Sequence, residues 1–293
     1  MTINTTDIKG DFKINVPKKG AFTIDTDDDF MKLHTLLLCS GRRGHGKGVA
    51  IANLVRQAKA KGYFQRVLLI TPTFSSNKEI WDMADIDEGD VYEPYKTVLS
   101  DIIKVVEQEK QEWEIFQERK RHYGTYSNDM KHKPLASFTP TQLIYFLDQK
   151  FFEAPPKWKY DLEVPPRLAV VIDDSLGTDL MLPSARLTNF CVKHRHIADG
   201  LGISIFMLVQ SYCAKEGIAR PIRENTTHLM LFKCKDENQV KKISEEIGAD
   251  VDLEKFKELY AFATEDPFSF LFVDFSPKSP EKTFRKCFNQ YIQ

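Results

Sequence analysis

One stretch near the N-terminus restricts the fold more than any other. An apolar run, Leu36–Cys39, leads into Gly41-Arg42-Arg43-Gly44-His45-Gly46-Lys47-Gly48, and a helical pattern follows over Val49–Lys61. The pattern is GxxxxGK, with glycine where serine or threonine is expected. Each part has a physical reason. Glycines let backbone N–H groups curl around a phosphate without Cβ clashes. The helix N-terminus adds partial positive charge at the same point. Lys47 is long enough to reach the β- and γ-phosphates. The loop Gly41 to Gly48, with Val49 as the first helical residue, is therefore a candidate nucleotide-binding segment. The competing reading is a glycine-rich turn before a helix. Gly48 lacks the hydroxyl that would ligate Mg²⁺, so water, Ser75 or Ser76 would have to fill that position.

A second strand-like run, Arg167-Leu-Ala-Val-Val-Ile-Asp173-Asp174, ends in two carboxylates. Four or five buried aliphatics followed by acids form a Walker B pattern. Asp173 is the candidate Mg²⁺ residue and Asp174 the candidate base for the attacking water. Aspartates also end strands simply to cap turns. A third run, Ile203–Val209, ends in Gln210-Ser211, and Gln210 can sense a γ-phosphate from the neighbouring strand. Downstream, Arg223 is a candidate arginine finger for a neighbouring subunit, and Arg195 competes with it. A solvated loop arginine is the plainer reading of both.

Strand-like and helical patterns alternate along the chain. Continuous apolar runs at Val67–Ile70, Leu168–Ile172, Ile203–Val209, Leu229–Phe232 and Phe268–Phe275 suit strands buried on both faces. Helical periods occupy Thr97–His122, Thr141–Phe152, Ser184–Ala198 and Glu237–Ile247. Thr139-Pro140-Thr141-Gln142 reads as an N-cap, a first-turn proline and a capping-box glutamine. The alternation predicts an α/β fold with a mostly parallel sheet. Length alone, 293 residues, suggests two domains. Motif order instead predicts an N-terminal extension, 1–32, and one domain, 33–293, with a helical insertion at about 97–156.

Composition narrows the function classes. Lys+Arg is 41 and Asp+Glu is 42, a formal net charge of -1, which excludes a chain coated in basic charge. Near-neutrality conceals separate blocks. Residues 79–93 carry seven acids and no Lys or Arg, and residues 119–133 carry five basic residues against one acid. The basic block, with Arg119, Lys120 and Arg121, suits a DNA-facing surface and the acidic block an outer or partner-facing one, and solvated helix faces would look the same. The five cysteines, Cys39, Cys191, Cys213, Cys234 and Cys287, form no CxxC pair and read as reduced thiols. No apolar run is long enough for a membrane span, and no signal peptide is expected.

Four segments now stand in one order: GRRGHGKG, VLLITPTFSSN, LAVVIDDS and RHIADGLGISIFMLVQSY. Together with IARPIRENTTHLMLF they resemble the viral genome-packaging ATPases of the FtsK–HerA superfamily, the type found in poxviruses and other large DNA viruses. The resemblance spans about residues 33–250. It implies a RecA-like P-loop core, ATP and Mg²⁺, a homo-oligomeric ring (commonly hexameric), and translocation of double-stranded DNA into a capsid or portal vertex. It also implies work in the host cytoplasm at the site of viral assembly. Carried over by position, Lys47 and its loop bind phosphate, Asp173 binds Mg²⁺, Asp174 activates water and Gln210 senses the γ-phosphate. Gly48 departs from the family pattern. Two readings compete: another P-loop NTPase (helicase or nucleotide kinase), and a nucleotide-binding regulatory protein with impaired hydrolysis.

Overall fold

The computed structural model describes residues 24, 26, 27, 29–181, 184–212, 218–247 and 251–292. Most of the expected N-terminal extension and Cys213 lie outside them. The strands are β1 (Leu36–Ser40), β2 (Arg66–Ile70), β3 (Val91–Tyr92), β4 (Leu168–Ile172), β5 (Ser204–Val209), β6 (His228–Phe232), β7 (Phe270–Asp274), β8 (Phe284–Lys286) and β9 (Gln290–Tyr291). The helices are α1 (Lys47–Ala60), α2 (Lys78–Asp82), α3 (Val98–His132), α4 (Pro140–Asp148), α5 (Ser184–Val192), the distorted turn α6 (Ile197–Gly200), α7 (Arg220–Glu224), α8 (Glu237–Ile247) and α9 (Leu253–Ala263).

All nine strands form one sheet in the order β3-β2-β4-β5-β1-β6-β7-β8-β9. β1 pairs in parallel with β5 and β6, and β4 in parallel with β2 and β5. The central strands are buried on both faces, which is why they read as unbroken aliphatic runs. One face packs on α3, α5, α8 and α9, and the other on α1 and α2. This is an α/β, RecA-like core: β5 lies between β1 and β4, and all three end at one edge of the sheet. Ligands of open α/β sheets bind outside that edge.

Four sequence expectations change. Phe268–Phe275 forms β7 only over Phe270–Asp274, and β7 runs antiparallel to β6. An unbroken apolar run reports burial on both faces, not strand direction. Helix α3 extends ten residues beyond His122, 35 residues in all. Its outer turns are held by a small aromatic cluster of Tyr126, Phe138, Phe146 and Phe151 against α4. That helix has the expected capping box between Thr139 and Gln142, but it stops at Asp148, and Lys150 takes a φ of +56°. The helical period over Ser184–Ala198 breaks after Val192. His194–His196 is a 3₁₀ turn, and Ala198 and Asp199 both have φ of +51°.

A buried polar cluster ties α3 to the sheet edge. Glu109, 1% exposed, accepts from Arg66 at 2.8 Å, Lys159 at 2.7 Å and Tyr160 at 3.0 Å. A buried carboxylate without such partners would be strongly destabilising. Among the described residues, no helix is long and apolar enough to cross a membrane, and no group of three His, Cys, Asp or Glu could hold a metal. Cys39, Cys191, Cys234 and Cys287 are free.

Candidate active site

The glycine-rich loop Gly41–Gly48 leaves β1 at the centre of the sheet edge. Gly41 donates its N–H to the Val209 carbonyl of β5 at 3.1 Å. A Cβ at Gly41 would stand 2.7 Å from Phe232 Cβ, so only glycine fits. Gly44 and Gly46 have φ of +81° and +87°, the left-handed region glycine adopts at least cost. Gly46 is the N-cap of α1 and offers no side chain to the first-turn N–H groups. Those donors point out of the helix end and are available to an anion. Lys47 is half-buried and folds over the loop, donating to the Gly41 carbonyl at 2.7 Å and the Arg42 carbonyl at 3.2 Å. Burial lowers its pKa from the ordinary lysine value.

The carboxylates arrive from two strands away. Asp173 follows β4, and burial pushes its pKa up to about 6, with the negative charge of Asp174 adding to the effect. Lys47 opposes that shift. Asp174 is exposed, with a φ of +48°. From the end of β5, Gln210 Nε2 donates to Asp174 Oδ1 at 2.9 Å. So β5, inserted between β1 and β4, presents its terminal amide to the outer carboxylate.

Lys47, Asp173, Asp174 and Gln210 line one cleft of about 490 Å³. Arg43, Gly44, Gly46, Gly48 and Val49 line it too. Gly41, Arg42 and His45 build the loop without lining the cleft. Ser76 lines it, whereas Ser75 does not. A Cβ at Gly48 would meet nothing closer than Ile80 Cγ2 at 3.6 Å, so a side chain is sterically acceptable there.

Arg223 is not brought to the cleft. Its guanidinium makes a two-pronged ion pair with Glu246, Nε at 2.9 Å and Nη2 at 2.8 Å, and lies over the Tyr212 ring. Arg195 is exposed, and no hydrogen bond or ion pair holds its side chain among the described residues. Sequence reasoning missed six cleft residues: Thr73, Asn77, Ile80, Trp81, Leu208 and Phe268. Asn77 Nδ2 donates to Thr73 Oγ1 at 3.0 Å, which fixes the turn after β2. The TPT segment marked that turn as unusual, but nothing in it says which side chain faces the cleft.

The basic block at 119–133 is largely engaged within the fold. Arg119 donates to the Gln149 carbonyl at 2.7 Å, Lys120 pairs with Glu163, and Lys133 pairs with Asp129 at 3.0 Å. A different basic surface lies between α3 and α5. There Lys96, Arg186, Lys193 and His196 rim a groove of about 570 Å³ that no carboxylate lines. Helix α5 lies in the chain between the Asp173–Asp174 loop and β5, so this groove borders the segment joining β4 to β5.

No protein-family model and no curated protein sequence matches the chain. Among solved structures it is similar to the pCW3 conjugation coupling protein TcpA, with 17% identity, a TM-score of 0.40, 82% of this chain and 57% of TcpA covered. It is similar to EssC (ATPases 2 and 3) from Geobacillus thermodenitrificans, with 13% identity and a TM-score of 0.45, covering 83% of this chain but only 38% of that one. The chain thus spans little more than half of the first and well under half of the second. The third is the genome packaging NTPase B204 from Sulfolobus turreted icosahedral virus 2, with 14% identity and a TM-score of 0.43, covering 87% of this chain and 97% of B204.

Proposed function

We propose that the chain is an ATP-driven motor that moves double-stranded DNA, the genome-packaging ATPase of a virus. The observation that carries this reading is the convergence of Lys47, Asp173, Asp174 and Gln210 on one cleft at the sheet edge. In this reading the uncapped α1 N-terminus and Lys47 hold the triphosphate. The glycine cradle fits it, since Gly44, Gly46 and Gly48 line the cleft without side chains and the first two take the positive φ that glycine adopts at least cost. Asp173 would hold Mg²⁺, which neutralises charge on the phosphates when bound. One carboxylate suits an ion that keeps several waters and takes its other ligands from phosphate. Asp174, oriented by the Gln210 amide, accepts a proton from the attacking water. Gly48 supplies no hydroxyl, and Ser76 and Thr73 are the hydroxyls that line the cleft.

The duplex is assigned to the groove between α3 and α5. Sliding requires uniform phosphate contacts rather than base readout, and rim lysines that make no ion pair among the described residues suit that. Residues 33–293 act as one motor domain in a homo-oligomeric ring, most simply a hexamer at a capsid or portal vertex. An arginine from a neighbouring subunit completes the site, with Arg195 better placed than Arg223. The test measures ATP hydrolysis with and without long double-stranded DNA, on a sample of determined mass. Stimulation by DNA in an oligomer, lost in Asp174→Asn with ATP binding kept, is expected. A monomer whose turnover ignores DNA, or one that phosphorylates a nucleoside monophosphate, refutes the motor.

A further inference from the structure

Phe268, in the loop between α9 and β7, combines two unfavourable features. It is the most exposed large apolar side chain among the described residues, at 70%. Its φ is +65°, a region that bulky L-residues rarely adopt. Backbone strain of this kind collects at functional sites when the surroundings hold it in place. The surroundings do so here. Ser269 donates both its N–H and its Oγ to the Asp266 carbonyl, at 3.2 and 2.7 Å. The next residue in β7, Phe270, is buried between the rings of Phe232 and Phe288, with centroids 5.0 and 4.9 Å away.

The ring is aimed at the phosphate loop. A Cβ built on Gly46 would lie 3.2 Å from Phe268 Cδ1. Phe268 also lines the cleft that holds Lys47, Asp173 and Gln210. The cleft is therefore polarised, with charged groups around the loop and a bare aromatic face beside it. A nucleoside triphosphate has the same polarity, an anionic chain at one end and a flat π-system at the other. We propose that Phe268 is the stacking platform for the nucleotide base. The assignment rests on the nucleotide reading of the cleft and adds the residue that grips the base, to which no motif in the chain points. Stacking on one aromatic face tolerates any base, because every base has a π-face.

The test separates the two ends of the ligand by comparing ATP with inorganic tripolyphosphate. Phe268→Gly deletes the ring and suits the positive φ, so the fold is kept. It should bind ATP about tenfold more weakly than the parent, the loss of one stacked base, with tripolyphosphate affinity unchanged. Phe268→Trp should keep ATP affinity, and its fluorescence should be quenched by ATP, beyond any change in the parent protein, but not by tripolyphosphate. Unchanged ATP affinity in Phe268→Gly overturns the proposal. So does equal weakening for both ligands, which would make Phe268 a support for the phosphate loop. A parent protein that binds neither ligand refutes the nucleotide reading and this assignment with it.

Discussion

Asp173 should make the protein less stable near neutral pH than it would be without that charge. Its carboxyl is half-buried at the end of β4, next to a second carboxylate, and its pKa rises from 3.8 to about 6. The native state thus holds the proton more tightly than the unfolded chain. Stability from this group is fully present below pH ~4 and is lost as pH rises through ~6. A shift of about two units corresponds to at most about 3 kcal/mol, and solvent access to a half-buried group reduces this to roughly 1–2 kcal/mol. Asp173→Asn keeps the shape and removes the charge. In the absence of nucleotide and Mg²⁺ it should be more stable than the parent by about 1–2 kcal/mol at pH 7.5 and equal to it at pH 4. For a chain of this size that is a rise in Tm of about 2–3 °C at pH 7.5. Urea unfolding at pH 4, 5, 6 and 7.5 reads the effect directly. A variant no more stable at pH 7.5, or one whose advantage persists at pH 4, would sink the reasoning. If Asp173 holds Mg²⁺ as proposed, the same variant should lose turnover, and higher stability with lost activity is the usual signature of an active-site charge held in a costly position.

Other outcomes follow from single features of the structure. Gly48→Ser should bind Mg²⁺-nucleotide more tightly and hydrolyse faster, since the side chain has room and restores a metal-ligating hydroxyl; identical Mg²⁺ dependence in both proteins would contradict this. Replacing glycine in the first turn of α1 should also add about 0.5–1 kcal/mol of stability, measurable by denaturation. Neutralising Lys96 and Lys193 together should lower DNA-stimulated ATPase and flatten the salt dependence of DNA binding by about two charges. The same measurements on a protein neutralised at Arg119, Lys120 and Arg121 should change less, because all three side chains already have partners within the fold. Arg223→Ala should unfold more readily, by about 1–3 kcal/mol, because it leaves the Glu246 carboxylate without its two-pronged partner; a variant of parental stability that has lost turnover would restore Arg223 as a finger.

The parts legible in the chain were those set by neighbouring residues. The capping box of α4 needs only Thr139 and Gln142, three residues apart, and it forms as expected. Helix α4 stops short of Phe152 where Lys150 adopts a positive φ, which its residue type does not announce, and the period over Ser184–Ala198 breaks at the 3₁₀ turn His194–His196, an apolar spacing that a helix and such a turn can share. The direction of β7 was illegible because Phe270–Asp274 would be equally apolar in a parallel strand. Arg223 looked like a surface arginine because its partner, Glu246, lies 23 positions away on another helix.

Local pattern was enough to place the glycine-rich loop, the acidic end of β4 and the α/β alternation. Each is a local pattern in which spacing alone sets backbone geometry. Tertiary structure decided which strands lie side by side, and so that Gln210 reaches Asp174 across 36 positions of chain. It also decided which charges stay open to solvent. The block at 119–133 is largely drawn into internal pairs, while Lys96, Arg186, Lys193 and His196, from separate segments of the chain, share one groove. It placed Phe268 beside Gly46, a contact between residues 222 positions apart. Contacts at such separations depend on the whole packing of the sheet and its helices, and no short window of residues encodes them.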